Sequence, residues 1–369
     1  MARRIRLFAF GGNEVSPAGL TDEEGKSIIP DIPMQWQRTD GTCKEIADVI
    51  AAHPEDDYII SHGNGPQVGN ILLRAEYSHK ILHALPLDVC GADTQGAMGY
   101  MIAMLGNELR ARGIDKIVAE TVTQVVVNKD DPDFQNPTKF IGPSYSKEEA
   151  LERKEKYGWA VKLYSKDEQG KEIWRRVVPS PIPIDIVEID AVESALKAGI
   201  IPISVGGGGI PVVQVEPEIV DGKEVYKCNY GITYTRPYVE GQPKAKIYTG
   251  VEAVIDKDYA TSLLGRMLIK KAKERGEELE VSFTIFTAED GAKLNYQKPD
   301  QKDLRHLTLS EAKELYNRKP CPFPPGSMGP KIKAVIDFLE EGGKVAYISL
   351  TKLFGKTLKG EAGTTIVPD

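Results

Sequence analysis

The sequence predicts an α/β fold, a parallel, doubly wound sheet covered by helices on both faces. Short β-rich runs recur along the chain, helical patterns lie between them, and glycine clusters sit where the runs end.

RLFAF at 6–10 is the first run and leads directly into GGN at 11–13. GTCKEIADVIAAH follows with apolar residues at three-to-four spacing, and so reads as the first covering helix. YIISH at 58–62 is the second run, and it opens into HGNGPQVG at 62–69. DTQGAMGYMIAMLGNELRARG is a long helix closed by glycine, and KIVAETVTQVVV at 116–127 is a further β-rich run. Residues 128–185 change character, being charged, rich in proline and aromatics, and ending in a proline-punctuated connector; they read as a small excursion from the sheet. IIPISV at 200–205 runs into VGGGGIPV at 205–212, and the polar stretch 215–249 reads as a hairpin or loop insertion. DYATSLLGRMLIKKAKERG, VSFTIFT at 281–287, MGPKIKAVIDFLEEGG and KVAYISL at 344–350 complete the alternation of helix and strand. There is no internal repeat and no low-complexity tract.

With 369 residues, 41% of them hydrophobic, the chain can bury a large core as one large α/β domain or two smaller ones. A formal charge of −7, from 47 basic and 54 acidic residues, gives no global attraction for nucleic acid or an anionic membrane. Any anion must then be held by a local cluster. Cys43, Cys90, Cys228 and Cys321 are scattered without CxxC spacing, which argues against a zinc site or a disulfide framework and fits a reducing cytoplasm. The apolar stretch at the N-terminus is too short for a secretory leader, and no segment approaches the roughly 20 apolar residues that span a bilayer.

In open α/β sheets ligands collect at the carboxyl ends of strands, and three glycine clusters fall there. Gly11, Gly12 and Asn13 form one; Gly63, Asn64 and Gly65 repeat the same chemistry, with Pro66 suited to the first turn of a following helix. Two such loops offer backbone N–H groups and neutral amides to a small oxygen-rich group, although each alone also reads as a tight strand-to-helix connection. Neither GxxxxGK[ST] nor a dinucleotide-type GxGxxG occurs. Lys139 in NPTKFIGP, Lys257 in VIDKD and Lys331 in PGSMGPK are candidates for the cations that phosphoryl transfer requires, against the ordinary reading of solvated surface lysines. Asp256 and Asp258 bracket Lys257: one is placed to orient the ammonium and the other to approach magnesium, or either caps a helix. His62 and the three tryptophans, Trp36, Trp159 and Trp174, read as structural.

Together these segments resemble the carbamate kinases of the amino-acid-kinase superfamily. The matching stretches are GGN at 11–13, HGNGPQVGN at 62–70, PLDVCGA at 86–92, QGAMGYM at 95–101, KDDPDFQNPTKFIGP at 129–143, RRVVPSP at 175–181, VGGGGIPV at 205–212, GVEAVIDKD at 250–258 and PGSMGPKIKA at 325–334. They run in the family's order along nearly the whole chain.

The resemblance implies an open three-layer α/β/α sandwich with a mostly parallel central sheet, one domain over 1–369 with a lid-like subdomain at 128–185 inserted in it, and a homodimer. It also implies reversible phosphoryl transfer between ATP and carbamate with magnesium, often running toward ATP from carbamoyl phosphate and ADP. By the same resemblance, Gly11, Gly12, Asn13, Gly63 and Asn64 hold the carbamate or carbamoyl-phosphate end. Lys139 closes over the transferred group, Lys257 sits at the γ-phosphate and Lys331 steadies the nucleotide phosphates. Gly207, Gly208, Asp256, Tyr296, Pro299 and Met328 fall on the nucleotide side, and Asp258 is a candidate for approaching magnesium. The glycine run at 206–209 also reads as a crowded strand–helix crossing.

The chain departs from the family pattern in places. GLTDEEGKSIIPDIPMQWQRTD at 19–40 reads as an addition near the acceptor pocket, and 215–249 is longer than expected. YQKPDQ at 296–301 has Gln297 and Asp300 where the family commonly has glycine and asparagine, and Asp93-Thr94 stand where Met-Ser is common. These leave two alternatives, a sibling kinase for another small carboxylate, carbamate-like or ureido acid, and a non-catalytic small-molecule sensor.

Overall fold

The structure, a computed structural model, describes residues 2–17, 20–24, 28–167 and 169–369. Its main elements are β1 (Arg3–Phe10), α1 (Ile32–Ala52), β2 (Asp57–His62), α2 (Gly65–Ser78), α3 (Leu87–Ile102), β3 (Val118–Glu120) and β4 (Ile201–Ile203). They continue with α4 (Lys257–Glu274), β5 (Leu279–Phe286), β6 (His306–Thr308), α5 (Met328–Glu340), β7 (Val345–Ser349) and β8 (Thr364–Val367). The eight strands form one sheet in the order β6-β8-β7-β5-β1-β2-β4-β3. Only β6 and β8 run against the rest, β8 pairing antiparallel with β7 and parallel with β6.

Both faces are covered, so the central strands are apolar on both sides. Along β1, Leu7 joins a core with Leu264 and Leu268 of α4 and Phe338 of α5, while Phe8 joins a second core with Ile46 and Ile50 of α1 and Ile102 of α3. Each fully buried side chain of this size contributes about 1.5–3 kcal/mol, enough to make the sheet a rigid base for the loops at its carboxyl end.

A four-stranded sheet, ordered Tyr248–Gly250, Ile210–Gln214, Gln124–Val127, Pro183–Ile186, extends the body. From it projects a small unit of three antiparallel strands, Lys139–Tyr145, Val161–Lys166 and Glu172–Val178, with a helix at Lys147–Tyr157. That helix begins in a capping box between Ser146 and Glu149 and ends at Gly158, whose φ of 69° suits glycine. The projecting unit is narrower than 128–185, because Pro183–Ile186 pairs with Gln124–Val127 in the body. The stretch 215–249 does form an antiparallel sheet of three short strands.

Three sequence expectations change. KIVAETVTQVVV is not one strand: Val118–Glu120 lies in the main sheet and Gln124–Val127 in the four-stranded one, with a break between. The helix expected from Asp93 starts at Leu87 and ends at Ile102, and a separate helix follows at Leu105–Ala111. The first covering helix starts at Ile32, not near Gly41, with Asp31 as its N-cap accepting from Met34 N at 2.8 Å. The part of the apparent addition from 32 to 40 is therefore helix; Gly19 and residues 25–27 of that stretch lie outside the described residues.

Candidate active site

The two Gly/Asn loops leave adjacent parallel strands in register, Phe10 opposite His62, and Gly63 N donates to Phe10 O at 2.9 Å. Gly11–Asn13 and Gly63–Asn64 thus stand side by side at the carboxyl end of the sheet. Asn64 Nδ2 donates to Thr94 Oγ1 at 2.9 Å, and that hydroxyl donates to Gly91 O at 2.6 Å, so Thr94 fixes the amide. The sequence showed Thr94 only as a departure from a pattern. Gln95 ties α3 to the glycine run, its Nε2 donating to Gly206 O at 3.1 Å and its Oε1 accepting from Thr123 N at 2.8 Å.

The glycine run is crowded. A Cβ at Gly207 would come within 2.2 Å of the Asn64 side chain and one at Gly208 within 2.3 Å of Ile255 O, and both residues have positive φ, 65° and 94°. The run is thus a crowded crossing, packed against Asn64 and Ile255.

Opposite the clasp, α4 begins with Asp256 as N-cap, accepting from Asp258 N at 2.8 Å. Lys257 stands at the first helical position, where the dipole disfavours a cation. Asp258 offsets this. It is 2% exposed; one oxygen pairs with Lys257 Nζ, and the other accepts from Lys331 Nζ at 2.7 Å. Lys331 comes from the first turn of α5, again an unfavourable place for a cation, so both helices present lysines against their own dipoles. From the projecting unit, Lys139 Nζ donates to Ile255 O at 3.1 Å and lies 4.0 Å from Asp256 Oδ2.

Burial lowers Lys257 and Lys139 below the ordinary lysine value, against the upward pull of nearby aspartates. Burial also opposes charge on Lys331, but Asp258 outweighs it and Lys331 is raised. Burial works against the Asp258 carboxylate too, yet Lys257 and Lys331 outweigh it and hold the group well below its usual range. Each Asp258 oxygen is paired with a lysine here, one with Lys257 and the other with Lys331. Asp256 keeps one oxygen outside its cap bond, facing Lys139. Among the described residues one grouping has metal-ligand types close together, His53, Glu55 and Asp56, at the far end of the sheet. There Glu55 and Asp56 already pair with Arg4.

His62 is fully buried, and its Nδ1 meets Gly63 O at 3.2 Å; a carbonyl only accepts, so Nδ1 carries the proton. Nε2 is then a bare acceptor pressed on Gly206, where a Cβ would come within 2.3 Å. Burial lowers the ring from 6.5 to about 4. As pH falls below 6.5 the unfolded chain takes this proton before the folded one, so stability is lost between 6.5 and about 4 and is unaffected above that window. The expected loss is about 3 kcal/mol by the acid end. Acid titration of unfolding should show a correspondingly flatter slope in His62→Gln; equal slopes would remove His62 as the cause.

Tyr296, Pro299 and Met328 are not joined to this centre by any hydrogen bond or ion pair. Tyr296 donates its hydroxyl to Glu289 at 2.6 Å, and Met328 opens α5. Gln297 has φ of 61°, the left-handed region that favours glycine, which is the physical reason a glycine suits that place in the family pattern. The tryptophans pack as expected: Trp36 lies edge-on to Tyr100 with centroids 5.1 Å apart, and Arg176 stacks on Trp159 at 4.7 Å.

No protein-family model matches the chain. The carbamate kinase of Thermococcus kodakarensis is 39% identical over 369 residues, covering 98% of both chains. The chain belongs to the carbamate kinase family. The carbamate kinase of Lentilactobacillus hilgardii is 41% identical over 370 residues, covering 99% of this chain and 98% of its own. Among solved structures, the Giardia lamblia carbamate kinase bound to AMP-PNP aligns over 100% of this chain and 99% of its own, at 31% identity and a TM-score of 0.77. Membership of this family and the observed layers agree with the fold class expected from the sequence.

Proposed function

We propose that this protein is a carbamate kinase, transferring a phosphoryl group reversibly between ATP and carbamate and running toward ATP when carbamoyl phosphate and ADP are supplied. The observation that carries the reading is the pairing of one buried carboxylate, Asp258, with two lysines from separate helices, beside two Gly/Asn loops and under a third lysine from a projecting unit. A carboxylate acceptor and a phosphoryl group bring negative charge that backbone N–H groups and ammonium groups must meet. Asn13, Asn64 and the loop amides hold and orient the acceptor end. Lys257 and Lys331, fixed by Asp258, meet the phosphoryl oxygens.

Magnesium, carried with the nucleotide, neutralises phosphate charge when bound. Asp256 suits it by its one oxygen outside the cap bond, and the phosphates and water would supply the other ligands. In the test, purified protein with magnesium and ADP makes ATP from carbamoyl phosphate. Background rates with carbamoyl phosphate and activity with another acyl phosphate would move the assignment to a sibling kinase.

Lys139 reaches the centre only while the projecting unit lies against the body, as its bond to Ile255 O has it here. Closure of this kind excludes water from a reactive acyl phosphate. Lys139→Ala is expected to bind nucleotide but lose most transfer, and hydrogen exchange in 139–178 to slow when substrates bind. Full activity in the variant, with identical exchange in both states, would refute the lid.

A homodimer joined through the β3 edge is part of this proposal. Among the described residues the strand has no partner beyond β4, and Ile117, Val122 and Tyr100 beside it are 59%, 50% and 70% exposed. Burial pushes Glu120 on that strand up to about 9, which leaves the edge without this charge at neutral pH. Cytoplasmic placement is also proposed, supported by four cysteines that are all free; no helix among the described residues is long and apolar enough to cross a membrane.

A further inference from the structure

The face that α1 turns toward the two loops is polar and buried. Gln35, Thr39 and Thr42 recur at helical spacing and are 5%, 0% and 2% exposed. A buried helix face is ordinarily apolar, and buried polar groups are kept when their bonds matter. Two of these bonds stay local, Gln35 Nε2 donating to Pro30 O at 3.0 Å and the Thr39 hydroxyl to Gln35 O, and the others reach the two loops. Arg38 Nε donates to Asn13 O at 2.5 Å, Thr42 Oγ1 to Glu14 O at 2.6 Å, and the Thr39 hydroxyl lies 3.3 Å from Val15 O and 2.9 Å from Gln35 O. The Asn13 and Glu14 carbonyls are therefore met by donors from one helix, and the Thr39 hydroxyl, whose shorter bond is to Gln35 O, lies against the Val15 carbonyl. On the other side, Gln35 Oε1 accepts from Gln67 Nε2 at 3.2 Å, and Gln67 lies on α2, the helix that continues the second loop.

We propose that α1 is the bracket of the acceptor clasp, with Arg38, Gln35, Thr39 and Thr42 as positioning residues that fix the spacing between the Gly11–Asn13 and Gly63–Asn64 loops. The loops are separate chain segments, and beyond the sheet end the first needs support that the strands do not give. Donors gripping the Asn13 and Glu14 carbonyls fix the tilt of the first, and the Gln35–Gln67 bond refers the second to the same helix. The segment 31–40, the end of the stretch 19–40 that the sequence alone shows as an addition, would thus, with Thr42, set acceptor affinity without touching the acceptor. This rests on the reading of those loops as the acceptor site.

The test is Arg38→Ala, with Arg38→Lys as the conservative variant, Gln35→Ala as a second break and Lys44→Ala as a control on the exposed face of α1. Arg38→Ala and Gln35→Ala should each raise the KM for carbamoyl phosphate about tenfold, with the KM for ADP within about twofold of the parent, because misplacing a binding group weakens only what it binds. Arg38→Lys, which keeps a donor for Asn13 O, should recover part of the loss, and Lys44→Ala should change nothing. Amide exchange over 11–16 should quicken in Arg38→Ala while global unfolding stays unchanged, since Arg38 itself is exposed. Unchanged carbamoyl phosphate KM, or an equal rise for ADP, would overturn the bracket. If the parent makes no ATP from carbamoyl phosphate, the functional reading fails by itself. Exchange over 11–16 then still decides the bracket, and unchanged exchange in Arg38→Ala overturns it.

Discussion

Replacing Lys257 by alanine is expected to lower kcat about a hundredfold or more, with a much smaller change in the KM for nucleotide. The alkyl chain of Lys257 runs along Gly63, where a Cβ would lie 3.4 Å from Lys257 Cδ, so the ammonium is delivered beside the second loop of the clasp. Its place is fixed before substrate arrives, by Asp258 on one side and the start of α4 on the other. A charge already in position costs no reorganisation when negative charge redistributes over the transferring group, so its contribution falls on the transition state more than on binding. Steady-state rates with carbamoyl phosphate and ADP check this; near-normal turnover in Lys257→Ala would take it out of the mechanism.

Much of this centre was legible because its chemistry is local. Gly11-Gly12-Asn13 and Gly63-Asn64 follow directly on β1 and β2, and the 206–209 run carries positive φ at 207, 208 and 209, a backbone need that few other residues meet. The pairing of Lys331 with Asp258 was not legible, because 73 residues separate them and only the packing of α5 beside α4 brings them together. The start of α1 was missed for a different reason. Its buried stripe is Gln35, Thr39 and Thr42, so a search for apolar periodicity finds nothing before Cys43. Likewise the β-branched residues of 116–127 hide a change of sheet, since propensity reports extended backbone but not which neighbour it pairs with.

Asp258→Asn carries the largest expected loss of stability, about 3–5 kcal/mol, the range for removing one partner of a buried ion pair. Two lysines depend on this carboxylate, and their side chains are 11% and 18% exposed, so water cannot easily replace it. An asparagine of the same shape keeps the packing and a hydrogen bond but leaves Lys257 and Lys331 facing each other as like charges. Burial already holds Lys257 below the ordinary lysine value, and Asp258 is the strongest influence keeping it up, so the substitution lowers it further. A lysine with a lowered pKa is charged only below that value, so residual activity in Asp258→Asn should rise as pH falls through the lowered lysine value, opposite in sign to the parent's loss of stability below 6.5 from His62. Denaturant unfolding and a pH–rate profile separate the two effects. Stability within about 0.5 kcal/mol of the parent, the range of ordinary surface substitutions, together with an unshifted profile, would show that the lysines do not depend on Asp258 for either place or charge.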